Sequence, residues 1–325
     1  MTDYDIISIK GEMKTLSQRE DPMNKILVSG LINIETTLKV DGFPVKYSPV
    51  NYPFWGIRST VSGVAINISK ALHTLGVETN LLSFIGEDGG GKEVLDELAS
   101  NNIKTDYIVK DMEETPQSII LYEESGRRQI HLDLKDVQKR EYPIEEFKKA
   151  LAESSIAVLA NINFSRPFLE IARSAGKLVA TDVHVLSDIH DEYNRDFMRY
   201  SNILFMSDEG IEGAVEDFAK KVVQEYQNDI LVIGMGKEGA LLYVKEDDFL
   251  GKFEAVDTRE IINTIGAGDA LFSSFIYFYN QTQDPYISLK KAILFASYKI
   301  GERGAAEGFL DEKSLNELYL NVYGE

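Results

Sequence analysis

Residues 263–272 have the sequence Asn263-Thr264-Ile265-Gly266-Ala267-Gly268-Asp269-Ala270-Leu271-Phe272. Small residues let the backbone turn tightly, and at a helix start they present free N–H groups that bind anions. The apolar pattern that follows predicts such a helix. A carboxylate beside an anion site is electrostatically unfavourable, which indicates chemistry. Asp269 can accept a proton while the Gly266, Ala267 and Gly268 amides hold a phosphoryl group. A glycine-rich turn that merely starts a helix is the simpler alternative.

The composition limits the classes of partner. The chain has 325 residues, a formal net charge of −19 and no cysteine. This charge argues against a surface that binds nucleic acid or an anionic membrane, but not against local binding of a nucleotide. The absence of cysteine excludes disulfides and thiolate metal sites, and we expect a cytoplasmic protein. No apolar run is long enough to span a membrane, and no signal peptide is recognisable.

The order of apolar segments predicts one α/β domain. Residues 1–22 form a leader to which we assign no role, and the domain occupies residues 23–325. Apolar runs predict strands, and helical periods lie between them. The predicted strands are residues 26–32, 79–85, 156–160, 178–181, 203–205 and 230–234, and the clearest helices are residues 63–75 and 92–98. Such alternation is typical of a mostly parallel sheet with helices on both faces.

Two segments interrupt this alternation. Residues 39–60 are rich in aromatic residues and proline. Residues 117–134 alternate apolar and polar side chains around Glu124-Ser125-Gly126-Arg127, which predicts a β-hairpin. We expect the two segments to form a small second sheet beside the main domain. An ordinary extension of the main sheet is the alternative.

The segment at residues 263–272 closely resembles the signature of the ribokinase (PfkB) family of sugar and nucleoside kinases. The resemblance extends over residues 24–320 and implies a ribokinase-like fold whose small β-sheet is a lid over the substrate. It also implies ATP as phosphoryl donor and a homodimer formed through the lid. Because no acid or histidine cluster has metal-ligand spacing, we expect Mg²⁺ to arrive with ATP.

A second glycine-containing helix start lies at residues 62–69. Asn67 is one turn into the predicted helix, where its amide can donate to and accept from a sugar hydroxyl. Gly63 and Asn67 match the family's Gly-Gly-x-x-x-Asn, whereas Ser62 replaces the first glycine. The resemblance implies substrate contact by both matching residues. A helix-surface role for Asn67 is the alternative.

Polar residues after two strands complete the predicted substrate side. Asn33 and Glu35 follow the first strand and project to the same side, towards the ligand crevice of a parallel sheet. The family carries Asn and Asp there, so Glu35 is a departure, and a solvated loop acid is its alternative. Asn161 and Asn163 stand where ribokinase has a substrate-binding Glu, and we assign Asn163 to the substrate.

The nucleotide side is predicted from three segments. Residues 232–240 enter a turn containing Gly236, Lys237 and Gly239 and resemble the family segment that lies along the nucleotide phosphates; a glycine-rich hairpin without nucleotide is the alternative. We assign Thr264 of the signature to the nucleotide as well. Arg303-Gly304-Ala305 resembles the family turn that closes on the adenine and helps to frame a monovalent cation such as K⁺, and we assign Gly304 to it.

Several positions depart from the family pattern. The signature usually begins with Asp and here begins with Asn263. Residues 206–210 lack the Asn-x-x-Glu that organises magnesium through water, although Asp208 or Glu209 could substitute. His184 stands where many members have Asn; a proton shuttle, a phosphate contact and a satisfied histidine remain open. Residues 86–93 nearly match a P-loop, but Glu93 stands where Ser or Thr is required.

These features predict an ATP-dependent kinase that phosphorylates an alcohol group of a small sugar or sugar-like molecule. A nucleoside kinase is the first alternative, because Tyr47, Tyr52, Phe54 and Trp55 could stack on a base. A ligand-binding family member with impaired catalysis is the second, because of Asn263 and the missing Asn-x-x-Glu. Turnover of ATP with a panel of sugars and nucleosides separates the three.

Overall fold

The computed structural model of the protein describes residues 25–125 and 127–324. The predicted leader, residues 1–22, lies outside the described residues, as does Gly126 in the predicted hairpin. Over the described ranges, strands and helices alternate along most of the chain, as the sequence predicted.

The strands of the structure include all six apolar runs that were predicted as strands, the first of which ends at Ser29 rather than at residue 32. In chain order they are β1 Lys25–Ser29, β2 Asn33–Lys39, β3 Ile57–Ser62, β4 Thr79–Gly86, β5 Ile108–Met112, β6 Gln117–Tyr122, β7 Arg128–Asp133, β8 Ser154–Leu159, β9 Leu178–Val185, β10 Ile203–Ser207, β11 Ile230–Gly234, β12 Ala240–Val244 and β13 Phe249–Phe253. The α-helices are α1 Val64–Leu75, α2 Gly89–Ser100, α3 Ile144–Ala152, α4 Arg166–Ser174, α5 Arg195–Tyr200, α6 Val215–Tyr226, α7 Ala267–Thr282, α8 Pro285–Lys299 and α9 Glu312–Tyr323.

The main sheet is mostly parallel. Among the described residues its strand order is β13-β12-β11-β10-β9-β8-β1-β4-β5. Neighbours from β5 to β11 are parallel, and β12 and β13 add an antiparallel edge. The chain leaves β1 towards β4 on one side and later returns to β8 on the other. Ligand crevices of α/β sheets form at such a switch point, beyond the carboxyl ends of the strands.

Helices cover both faces of this sheet. Side chains of α1, α2, α7, α8 and α9 pack with residues such as Val28 and Phe205 on one face. Helices α3 to α6 pack on the other face with residues such as Leu27. Neighbouring residues of one strand thus belong to opposite cores, as the alternation of a strand requires. Over the described ranges, no helix combines the length and apolar character needed to cross a membrane.

The second sheet has the strand order β3-β2-β6-β7. Strands β6 and β7 are the predicted hairpin, and β2 pairs with β6 in parallel. The predicted segment 39–60 differs from the structure, because most of it, residues 40–56, forms no strand. Its prolines lack the N–H that a ladder requires. Strands β2 and β3 flank this connection. Asn33 and Glu35 lie in β2 and therefore belong to the second sheet.

Candidate active site

Two helix starts meet beside the carboxyl edge of the main sheet. Helix α1 begins after Gly63 and helix α7 after Gly266. The buried Asn67 of α1 donates from Nδ2 to Oδ2 of Asp269, in the first turn of α7, at 2.8 Å. The structure therefore joins the residue predicted as proton acceptor to one predicted to contact the substrate.

The surroundings of Asp269 shift its acidity. Burial raises the pKa of its carboxyl above the ordinary value, and the nearby charge of Asp182 adds to this shift. The hydrogen bond from Asn67 and the charges of His184 and Lys299 oppose it. A carboxylate with a raised pKa is a stronger proton acceptor than an ordinary aspartate whenever it is ionised.

The start of α7 leaves two of the three predicted amides free. The Ala267 N–H donates to the Thr264 carbonyl at 3.2 Å, which closes a turn. Within the described ranges, the Gly266 and Gly268 amides have no acceptor in the protein. Gly268 is exposed, and no atom lies within 4 Å of the position that a Cβ would take there. This helix start is therefore open to an anion.

The segment before α7 is fixed against the turn that follows α8. Gly266 has φ +79°, and a Cβ there would lie 2.2 Å from the Ala305 carbonyl oxygen. Asn263 accepts from the Ile265 amide at 2.9 Å and donates from Nδ2 to the Arg303 carbonyl at 2.8 Å. An ionised Asp could not make the second contact, so Asn263 has a structural role that its departure from the family pattern did not indicate.

The predicted substrate residues of β2 are buried beside Asp269. Asn33 donates to the Ser118 hydroxyl at 2.7 Å. Burial raises the pKa of Glu35, and the charge of Asp269 adds to this, whereas the Ser62 hydroxyl and Lys299 oppose it. Glu35 is only 8% exposed, so it is not the solvated loop acid of the alternative interpretation.

Asn67 also has an unused acceptor. Its Oδ1 is buried and has no hydrogen-bond partner among the described residues. An unsatisfied buried polar atom costs about 1–3 kcal/mol. A ligand hydroxyl that donates to this oxygen would remove that cost, which agrees with the predicted substrate contact.

Asn163 has partners within the protein. Its backbone N–H donates to Gln138 Oε1 and its Nδ2 to the Gln138 carbonyl, both at 3.1 Å, and its Oδ1 accepts from Arg166 at 3.4 Å. Asn161 donates from Nδ2 to Asn194 Oδ1 at 3.0 Å. These bonds hold the loop after β8, and substrate contact by Asn163 stays a prediction.

The predicted phosphate-side turn lies between β11 and β12. Gly236 has φ +54° with open space around its Cα, and the exposed Lys237 follows it. At Gly239, with φ +95°, a Cβ would lie 2.0 Å from the Phe253 carbonyl oxygen, so only glycine fits. In the turn after α8, the Gly304 amide donates to Glu307 Oε2 at 3.1 Å. Nucleotide contact by Gly304 stays a prediction.

Acidic residues lie near this turn. Burial raises the pKa of Asp208, and the charges of Glu209 and Glu238 add to the shift. His184, with φ +60°, has Nδ1 3.6 Å from Asp182 Oδ2, so it has a carboxylate partner. The described residues contain no group of three or more acids or histidines arranged to hold a metal ion.

Lys299 is a candidate site residue that the sequence analysis missed. It is fully buried at the end of α8, and its Nζ donates to the Ile265 carbonyl, directly before Gly266. Helical spacing places it on one face with Ala292 and Phe295, which are also fully buried. A lysine in the register of an apolar helix face was the signal that could have revealed it.

The structure predicts that Gly63→Ala destabilises the protein more than Gly76→Ala. Both glycines have positive φ. Gly76, with φ +104° and ψ 16°, is in the left-handed helical region, which costs other residues about 1–2 kcal/mol, whereas Gly63, with φ +111° and ψ 151°, is in a region essentially restricted to glycine. Only at Gly63 would a Cβ also meet backbone, 2.5 Å from the Leu31 carbonyl oxygen. Urea unfolding measures both changes. Equal losses in the free energy of unfolding for the two variants would contradict the close approach of Gly63 to Leu31.

Comparisons with known proteins find relatives and a fold neighbour over most of the chain. The chain is 25% identical over 265 residues to a nucleoside kinase of Methanothermobacter thermautotrophicus, covering 78% of this chain and 83% of the relative. It is 22% identical over 289 residues to an ATP-dependent ribose-1-phosphate kinase of Halopiger xanaduensis, covering 87% and 94%. A microbiome-derived acarbose kinase has the same fold, with a TM-score of 0.81 at 20% identity over 91% of this chain and 99% of that one.

The family model described as pfkB family carbohydrate kinase matches residues 23–313, which is most of the chain. Kinases of this family use ATP, generally with Mg²⁺. The match and the ribokinase-like architecture confirm the resemblance that the residue 263–272 segment suggested. This chain therefore belongs to the pfkB carbohydrate kinase family and is a phosphotransferase with a sugar or nucleoside alcohol group as acceptor.

Proposed function

We propose that this protein transfers the γ-phosphoryl group of ATP to a hydroxyl group of a small sugar or sugar-like molecule. The observation that carries the proposal is the position of the Asp269 carboxylate, held by Asn67 beside the free Gly266 and Gly268 amides. A proton acceptor next to an anion site is what phosphoryl transfer to an alcohol requires.

Asp269 is the general base in this proposal. As the acceptor oxygen bonds to the γ-phosphorus, its proton passes to the Asp269 carboxylate, while the bond from phosphorus to the ADP oxygen breaks. The Gly266 and Gly268 amides donate to the transferring phosphoryl group. The Ala267 amide takes no direct part, because the Thr264 carbonyl already accepts it.

The nucleotide lies between the start of α7 and the β11–β12 turn in this proposal. Gly236, Lys237 and Gly239 line the phosphates, and Thr264 and Gly304 lie towards the nucleoside. The oxygen ligands that Mg²⁺ prefers are available from Asp208 and Glu209, near Glu238. These residues would hold the ion through water beside the nucleotide phosphates, where it would neutralise charge.

The acceptor lies against β2 and α1. We assign hydrogen bonds with its hydroxyls to Glu35 and to the unpartnered Oδ1 of Asn67. Gly63 permits close approach of the acceptor, and Asn33 and Asn163 also contact it in this proposal, as the sequence predicted.

A nucleoside acceptor is the second candidate. The relative from Methanothermobacter favours it, as do the exposed aromatic residues of the 40–56 connection. A panel of sugars and nucleosides, assayed for ADP and for the phosphorylated acceptor, discriminates between them. If no compound of the panel is phosphorylated, the interpretation that remains is a ligand-binding family member with impaired catalysis.

We expect Asp269→Asn to lower kcat by on the order of 10²–10⁴, because the amide keeps the size of the side chain but cannot accept a proton. ATP affinity should remain near the wild-type value, measured by calorimetry. A variant that keeps the wild-type kcat would show that Asp269 is not the base.

Asn67→Ala should move the acid limb of kcat/KM to higher pH. The active form of Asp269 is ionised, so activity is lost as pH falls through its raised pKa. The Asn67 amide stabilises the ionised form, and its loss raises that pKa further. Asn101→Ala is the matched control, because its Nδ2 donates to the Glu97 carboxylate at 3.1 Å at the end of α2. An unchanged acid limb in the Asn67 variant would contradict the assignment.

We further propose that the second sheet and its flanking segments act as a lid and mediate a homodimer. Large exposed side chains on the 40–56 connection support this, among them Tyr47, Tyr52, Phe54 and Trp55, which are 75–98% exposed. Light scattering at micromolar concentration should show a dimer, and replacement of these four residues by Ser should give a folded monomer. A wild-type monomer, or a dimer that survives the replacement, would rule this arrangement out.

A further inference from the structure

The ammonium group of Lys299 is buried without a carboxylate partner. The side chain has no exposed surface, and the described residues give Nζ one hydrogen-bond partner, the Ile265 carbonyl oxygen. Burying a cation is unfavourable unless the charge is paired and hydrogen-bonded. The neighbouring carboxylates of Asp269, Glu307, Glu35 and Glu302 act on it at longer range. The position of the charge therefore requires an explanation.

The one hydrogen bond of Lys299 controls a catalytic amide. The Ile265 carbonyl and the Gly266 N–H belong to the same peptide unit, which is planar and trans, so they point in opposite directions. When the carbonyl accepts from Lys299 on one side, the Gly266 amide is directed to the other side. That amide is one of the two free donors at the start of α7.

The family resemblance implies a monovalent cation close to Lys299, beside the turn at residues 303–305. The turn at residues 303–305 packs against Gly266, and Ile300 accepts from the amides of Ile262 and Asn263 at 2.9 and 3.0 Å. A cation here would need backbone oxygens, but the Ile265 carbonyl already accepts from an ammonium group. A second positive charge beside Lys299 would be repelled. The residues of this chain therefore do not fit a monovalent cation.

We propose that Lys299 is a positioning residue for phosphoryl transfer, and that its ammonium group replaces the monovalent cation beside the Gly266–Gly268 loop. The inference rests on the kinase function proposed above. Lys299 holds the Gly266 amide in the donating direction, and its positive charge acts at longer range on the carboxylates of Asp269 and Glu35.

The first test needs no substitution. Wild-type kcat is measured in a buffer whose only cation besides Mg²⁺ is tetramethylammonium, and again after addition of K⁺ or NH₄⁺. We expect less than about a twofold change, because the charge is built into the chain. Activation of the wild type by K⁺ of tenfold or more would overturn the proposal while leaving the kinase function intact.

The second test compares two lysines of α8. Lys299→Met should lower kcat by on the order of 10²-fold through misplacement of a donor, and Lys299→Ala should regain activity with NH₄⁺ or methylammonium, which fit the vacated space. Lys291→Met is the matched control. Lys291 is partly buried over the Phe278 ring, and its Nζ donates to Asn316 Oδ1 at 2.7 Å. The Lys291→Met variant should have the wild-type kcat, and added K⁺ or NH₄⁺ should not change it.

The pH profile provides a third readout. Burial lowers the pKa of Lys299 to about 8, against the charges of Asp269 on α7, Glu35 on β2, and Glu302 and Glu307 in the turn after α8. The charged form exists below that pKa, so wild-type kcat should fall as pH rises above about 8, and Lys299→Met should lack this alkaline limb. If Lys299→Met fails to fold, the proposal is tested by the dependence of wild-type kcat on added cations and on pH.

The outcomes separate the two proposals. A wild type that turns over an acceptor, together with a Lys299→Met variant of full kcat, overturns the role of Lys299 alone. A wild type that phosphorylates no acceptor overturns the proposed function and this inference with it.

Discussion

The hydrogen bond between Asn67 and Asp269 requires two helices to begin at the same point of the fold. The two residues are 202 positions apart in the chain, yet their side chains are 2.8 Å apart. Their approach depends on Gly63 and Gly266, each with positive φ and each with a backbone oxygen where a Cβ would lie. Close packing of backbone against backbone thus sets the distance between Asn67 and Asp269, the proposed base.

This packing creates an electrostatic problem at the site. Asp269 lies close enough to Glu35 for its charge to raise the Glu35 pKa, and burial raises the pKa values of both groups. Lys299 is the positive charge that opposes both shifts from behind the α7 start. A base with a raised pKa, free amides and a fixed cation together favour transfer of a proton from an alcohol to Asp269 as the phosphoryl group arrives.

The sequence predicted the fold class correctly and singled out Asn67 and Asp269, which the structure joins by a hydrogen bond, because both inferences depend on local patterns. Alternating apolar segments indicate a parallel sheet, and the glycine-rich segment at residues 263–272 marks the start of α7. Partners formed in three dimensions leave no such pattern. The turn that occupies the Ala267 amide, the bonds between Asn163 and Gln138, and the contact of Lys299 with Ile265 all depend on the folded chain.

The departures from the family pattern have different explanations. Asn263 bridges Ile265 and Arg303, so its change from Asp need not signal lost catalysis. The chain lacks the family's Asn-x-x-Glu at residues 206–210. Asp208 and Glu209 lie there near Glu238, but within the described ranges they are not part of a group of acids arranged to hold a metal ion. The proposed chemistry depends on Asp269 and on the Gly266 and Gly268 amides, and neither departure displaces these groups.

Single-turnover transfer from γ-labelled ATP to the best acceptor of the panel tests the central claim most directly. Wild type and Asp269→Asn are compared with enzyme in excess over ATP and with saturating acceptor, so that product release does not limit the rate. The account predicts labelled acceptor in the wild type and a transfer rate at least about 10²-fold lower in the variant. Equal transfer rates in the two proteins, or release of labelled phosphate to water without labelled acceptor, would contradict it.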